Sequence, residues 1–139
     1  ECIRSAAVLS NTYAQATTPK ISIITGNAFG ASYVALACNS LASDITMAWS
    51  DAKISALPIE SAVEFLWSEK LDGIDDVKAK TSELVDEYIN TVASPIEYAI
   101  NGDIDGVISP ENTRQVLINT IDMLCNKRES TLPKKHSTI

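Results

Sequence analysis

The stretch PKISIITGNAFGASYVALAC, Pro19 to Cys38, constrains the fold more than any other part of this chain. Ile21 to Thr25 is short, β-branched and apolar on both faces, which marks a strand covered on two sides in a mostly parallel sheet. Gly26 and Asn27 break it. Gly30, Ala31 and Ser32 then lead into Tyr33 to Cys38, apolar almost all round, which predicts a buried helix. A strand that hands over to a helix through small residues leaves backbone N–H groups without intrahelical partners, with the positive end of the helix dipole behind them. Such a turn can receive an anion or a developing oxyanion, and small side chains let an oxygen come within about 3 Å of the main chain. The same residues also suit plain close packing of helix on strand around Gly30 and Ala31. On spacing alone both readings stand.

Upstream, Glu1 to Ala16 spaces Ile3, Ala6, Ala7, Tyr13 and Ala14 as an amphipathic helix. Downstream, Asp44 to Trp49 and Lys53 to Leu57 read as two more strands, and Pro58 opens a helix through Ser61 to Trp67. All three strands are expected in one mainly parallel sheet with helices outside. Val77, Leu84, Val85, Tyr88 and Val92 form the packing stripe of a helix from Asp76 to Ser94, and SPIEY starts a short one. After the acidic turn NGDIDG come a brief Val107–Ile108 strand and a last helix using Val116, Leu117, Ile121 and Leu124, with Ser109 as cap and Pro110 in the first turn. The order of elements indicates α/β architecture in a single domain, residues 1–139, with no repeats or low-complexity linker.

The formal net charge of −7, from 18 acidic and 11 basic residues, is the wrong sign for a nucleic-acid footprint. No apolar run is long enough to span a bilayer and no signal leader opens the chain, so no membrane insertion is expected. Cys2, Cys38 and Cys125 are an odd set without CxxC spacing, and His136 is the sole histidine, so no metal site is expected and reduced, cytoplasmic thiols are the plain reading. No P-loop, dinucleotide fingerprint or nucleophile elbow is present. Asp103 and Asp105 read as a solvated turn, and Trp49 and Trp67 as packing residues. Glu60 and Glu64 read as helix-surface charges.

Several of these segments together resemble the C-terminal half of the carboxyltransferase subunit of biotin-dependent acyl-CoA carboxylases and decarboxylases, of the propionyl-CoA and methylmalonyl-CoA type. The segments are TTPK, AFGASY (Ala28 to Tyr33), SDITMAWS (Ser43 to Ser50), AKISALPIESA (Ala52 to Ala62), SPENTRQVLINTIDML and PKKH. They run in order over nearly the whole chain. The resemblance implies a crotonase-like (ClpP-like) α/β fold, mainly a parallel sheet with flanking helices, lacking its first strands. It also implies transfer of a carboxyl group between carboxybiotin and an acyl-CoA, with the backbone N–H groups of Ala31 and Ser32 as the oxyanion hole and Phe29, Gly30 and Ala31 facing the biotin. The implied partners are the N-terminal half of a carboxyltransferase, a biotin carrier and partner subunits in an oligomer, and the isolated piece should be inactive. Gly26 stands where many relatives have arginine, Ala31 where a second glycine is usual, and Pro58 and Ser61 where glycines line a second turn. Alanine still presents its N–H, whereas proline has none. Two alternatives stay open: a non-catalytic assembly module of such a complex, and another crotonase-fold acyl-CoA enzyme without biotin.

Overall fold

The structure is a computed structural model, and it describes residues 2–39, 41, 43–71 and 77–128. Helix α1 (Cys2–Gln15) precedes strand β1 (Ile21–Ile24), strand β2 (Asn27–Phe29) and helix α2 (Gly30–Leu36). Strands β3 (Ile45–Trp49) and β4 (Lys53–Ser55) lead to helices α3 (Ile59–Leu66), α4 (Val77–Thr91) and α5 (Pro95–Ile100). Strand β5 (Gly106–Ile108) and helix α6 (Thr113–Leu124) follow, the latter after a single 3₁₀ turn, Pro110–Asn112.

Among the described residues every strand pairing is parallel, as the double-sided apolar strands predict, but the strands form two sheets. One has the order β1-β3-β5, with Ile21 opposite Ile45 and Met47 opposite Gly106; the other pairs β2 with β4, Phe29 opposite Ser55. The expectation of one sheet holding Ile21–Thr25, Asp44–Trp49 and Lys53–Leu57 is therefore corrected. Parallel neighbours in one sheet need a crossover of a dozen or more residues, whereas only Ser50 to Ala52 separate β3 from β4. Both strand pairs instead turn a corner at the same level, where the Lys53 N–H donates to the Gly26 carbonyl at 3.1 Å. The short strand Asn27–Phe29, which the sequence presented as a break, is the second half of that corner.

Two apolar clusters hold the elements. Ile24, Tyr33, Ala37, Ala48, Ala52, Ile54 and Ile104 form the first, joining both sheets to α2; Ile59, Ala62, Val63, Leu84, Tyr88 and Ala93 form the second, between α3 and α4. The predicted stripe of the Val77–Thr91 helix is seated through Leu84 and Tyr88, with Val85 and Ile89 half-buried, while Val92 is exposed. Helix α2 is less buried than expected: Tyr33 and Ala35 are buried, but Val34 and Leu36 are open. Ser109 is extended and its side chain caps no helix N–H, so the last helix begins at Thr113 behind the 3₁₀ turn. His136 and Asp76 lie outside the described residues.

Candidate functional site

The register that sets Phe29 opposite Ser55 brings two strand-to-helix turns side by side at the carboxyl ends of β2 and β4. Ligands of α/β sheets bind at such ends. In the first turn Gly30 has φ +61°, a left-handed conformation that non-glycine residues rarely adopt, and it starts α2 directly after Phe29. Its neighbour across the gap is the second turn: a Cβ at Gly30 would stand 4.0 Å from the Ala56 carbonyl oxygen. Phe29 offers no side-chain cap, so the first N–H groups of α2 are not taken up by a capping oxygen.

Helix α2 is anchored at its other end. Ser22 donates from Oγ to the Leu36 carbonyl at 2.7 Å and also pairs with the Ser43 hydroxyl, while Thr46 Oγ1 donates to the Ala37 carbonyl at 3.0 Å. These hydroxyls on β1 and β3 occupy carbonyls that a helix terminus otherwise leaves open. The helix is thus fixed to the larger sheet at its C-terminus and presents its N-terminus at the smaller one.

Along this junction runs an open groove of about 540 Å³, lined among others by Ile23, Thr25, Asn27, Phe29, Ser32 and Leu36. Of the four residues singled out in the sequence, Phe29 and Ser32 line it, and Gly30 and Ala31 are the chain between them. Ala31 and Ser32 are exposed. Phe29 also packs against the α3–α4 cluster, so its ring has a structural duty as well as a place in the groove wall. Gly26, at the corner, has open space where a Cβ would stand.

The second turn is braced from behind. Buried Ser55 accepts the Leu57 N–H at 3.4 Å and its hydroxyl meets that of Tyr88 at 3.5 Å. Tyr98 of α5 lies edge-on to Tyr33 of α2, ring centroids 6.0 Å apart and planes perpendicular. Burial first, then the proximity of Tyr98, pushes the Tyr33 phenol up to about 12. Burial likewise pushes the Tyr98 phenol up to about 12, and the nearby Tyr88 and Asp103 add to it. Neither Tyr98 nor Ser55 carried a local signal in the sequence, because their partners lie 30 or more residues away in the chain.

The remaining candidates are structural. Asp105 is more than a solvated turn residue: its carboxylate accepts the Thr46 N–H at 2.7 Å, tying the acidic loop to the second residue of β3. Trp49 donates from Nε1 to Thr113 Oγ1 at 3.0 Å, and Trp67 packs on Tyr88 with the Lys70 ammonium 3.8 Å above its ring. Among the described residues no three His, Cys, Asp or Glu side chains converge as metal ligands, and no helix is long and apolar enough to cross a membrane.

Two parallel sheets meeting at a corner, with a left-handed turn feeding a helix beside a groove, define an α/β protein of the crotonase-like kind. The crystal structure of transcarboxylase 12S, described as a hexamer assembly with methylmalonyl-coenzyme A bound, superposes with a TM-score of 0.87 at 32% identity over 98% of this chain and 26% of that one. All of residues 1–139 match the carboxyl transferase domain, and the chain belongs to that family. It is 36% identical over 137 residues to the methylmalonyl-CoA decarboxylase subunit alpha of Propionigenium modestum, covering 99% of this chain and 26% of the relative. It is 38% identical over 137 residues to the propionyl-CoA carboxylase carboxyltransferase subunit of Haloferax mediterranei, covering 99% of this chain and 27% of the relative. The chain thus spans about a quarter of the length of the relatives it matches.

Proposed function

We propose that this chain supplies the carboxybiotin-facing part of an acyl-CoA carboxyltransferase, moving a carboxyl group between biotin on a carrier protein and a short-chain acyl-CoA held mainly by another part of the enzyme. The observation that carries the reading is the left-handed turn at Gly30, which opens the uncapped N-terminus of α2 at the carboxyl end of β2, beside a groove lined by β1, β2 and α2. The acyl class follows the relatives, whose names carry methylmalonyl-CoA and propionyl-CoA.

The residues present suit a biotin headgroup. The groove has room for a small bicyclic ring, its wall combines Phe29 and Ile23 with exposed main chain, and Gly30 and Ala31 add little bulk. When bound, carboxybiotin supplies the activated carboxyl group. The N–H groups of Ala31 and Ser32 stabilise negative charge developing on an oxygen as that group departs, an effect supplied by main chain placed in advance. Gly30 gives access, and Phe29 forms one wall. The second turn contributes less, since Pro58 at the head of α3 has no N–H to donate. The working protein is an oligomer that includes the N-terminal carboxyltransferase half, a biotin carrier and partner subunits. Three cysteines without a pairing pattern favour a reducing, cytoplasmic setting.

The test is made in the full-length subunit with its carrier. Because the donors are main-chain groups, Ser32→Ala should change turnover little. Ala31→Pro removes a donor and should cost about 10²- to 10³-fold in kcat. A folded Ala31→Pro enzyme transferring carboxyl groups at the parental rate would sink the assignment, leaving plain close packing around Gly30.

A further inference from the structure

Helix α2 ends at Leu36, and the last carbonyls of a helix have no N–H of that helix to accept. Two of them, on the consecutive residues Leu36 and Ala37, accept from hydroxyls of the larger sheet: Ser22 of β1 donates to Leu36 at 2.7 Å and Thr46 of β3 to Ala37 at 3.0 Å. Ser22 and Thr46 are direct partners in the parallel register. Ser22 has one hydroxyl proton and gives it to Leu36, so the Ser43 hydroxyl paired with it is the donor in that contact. Thr46 is fully buried, and its backbone is held on both sides of the residue: the Asp105 carboxylate accepts its N–H at 2.7 Å, and the Asp105 N–H donates to its carbonyl at 2.8 Å.

Packing alone constrains this helix less. Of its seven residues only Tyr33 and Ala35 are buried, and Ala31, Ser32, Val34 and Leu36 are exposed. Apolar contact is non-directional and does not fix where along a sheet a short helix stops, whereas hydrogen bonds to two successive carbonyls do. Ser32, Leu36 and Ala37 from this segment line the groove together with Ile23 and Ile24 of β1. We infer that Thr46, with Ser22 beside it, is a positioning residue for that groove: from the larger sheet it sets where α2 lies relative to β1 and β3, and with it the place of the Gly30–Ser32 turn at the other end of the helix. The kinetic consequence rests on the proposed oxyanion role of that turn; the positioning itself does not.

The experiment uses the full-length subunit in its assembly and compares Thr46→Val, which keeps the branched shape and loses the hydroxyl, with Thr46→Ser, which keeps the hydroxyl and loses the methyl. Ser22→Ala is made as the second site, and decides on the same readings if Thr46→Val does not fold. Amide hydrogen exchange is read at Ala37 and Cys38, whose N–H groups bond the Tyr33 carbonyl, with Val92 and Ala93, which bond the Tyr88 carbonyl in the other cluster, as reference. Turnover and KM for the acyl-CoA are read alongside. Thr46→Val should exchange about 2- to 10-fold faster at Ala37 and Cys38 with the reference pair unchanged, the range one hydrogen bond is worth. It should also lose about 3- to 10-fold in kcat with KM unchanged, below the ~10²-fold that a 1 Å misplacement can cost. Thr46→Ser should match the parent in both, and Ser22→Ala should follow Thr46→Val. Faster local exchange with parental kcat supports the positioning and counts against the oxyanion reading instead. Parental exchange in Thr46→Val overturns the proposal, whether kcat falls or not. So does exchange that rises equally at the reference pair, or Thr46→Ser loosening α2 as much as Thr46→Val, the results that a threonine needed only for packing gives.

Discussion

Gly30 shows how a single residue sets the backbone geometry of a whole turn. Its neighbourhood is not crowded, since the nearest atom to an added Cβ is 4.0 Å away. What only glycine supplies without cost is the backbone conformation, φ +61°. Gly30→Ala should therefore lower stability by about 1–2 kcal/mol, and Gly30→Asn by less, because asparagine tolerates the left-handed region better. Gly30→Val should be the worst of the three. Denaturant unfolding of the full-length subunit checks the order; an alanine variant as stable as the parent would show that the left-handed turn is not required. Ala31 and Ser32 act through main chain alone in this picture, which is why the loss of a second glycine at Ala31 leaves the donor in place.

At the scale of elements, a part-buried ion pair ties two distant parts of the chain together. Lys127, just past α6, donates to Asp44 Oδ1 at 2.7 Å, and the Lys20 N–H donates to Oδ2 at 2.7 Å. The side chains are only 10% and 19% exposed, for Lys127 and Asp44 respectively. Burial alone would raise the Asp44 carboxyl, but the hydrogen bonds from Lys127 and Lys20 prevail and hold it below its ordinary 3.8. A carboxyl whose pKa is lowered by folding adds stability that is present above the unfolded value and is lost as pH falls through the folded one. The protein should therefore lose this contribution below about pH 4, and Asp44→Asn should flatten that part of the stability–pH curve while costing about 1–3 kcal/mol at pH 7. Acid unfolding of parent and variant along the same curve would refute the clamp.

How far such elements were legible follows from where their information lies. Ile21–Thr25 and Asp44–Trp49 announce themselves as buried parallel strands because both faces are apolar, and Pro58 marks a helix start by local sterics. Asn27–Phe29 does not, since a three-residue strand beginning in exposed Asn27 looks like a turn, and only its pairing with Lys53–Ser55 makes it a strand. The same holds for the site. The small residues of the first turn are visible locally, whereas Tyr98 and Ser55 meet partners distant in sequence.

For the whole molecule, the question is what covers the apolar surface that these residues leave open. Phe65 is 76% exposed on α3, and Ile118, Ile121 and Met123 stand out from α6, with Ile121 54% exposed. On α6 and the turn before it, Pro110, Thr113, Leu117, Ile118 and Ile121 line an open cavity of about 410 Å³. The sequence stripe Val116, Leu117, Ile121, Leu124 is thus only partly spent on the core: Thr120 is buried and Ile121 is not. Each such side chain is worth about 1.5–3 kcal/mol when fully buried, so the neighbouring apolar residues of α6 favour a contact with more protein. In the oligomer proposed above, another subunit would cover this face. Ile118→Asp and Ile121→Lys in the full-length subunit should shift sedimentation toward smaller species while leaving the melting temperature of the released subunit close to that of the dissociated parent. If the same variants instead remain fully assembled and only melt lower, the α6 face is covered from within the chain and the expected subunit contact lies elsewhere.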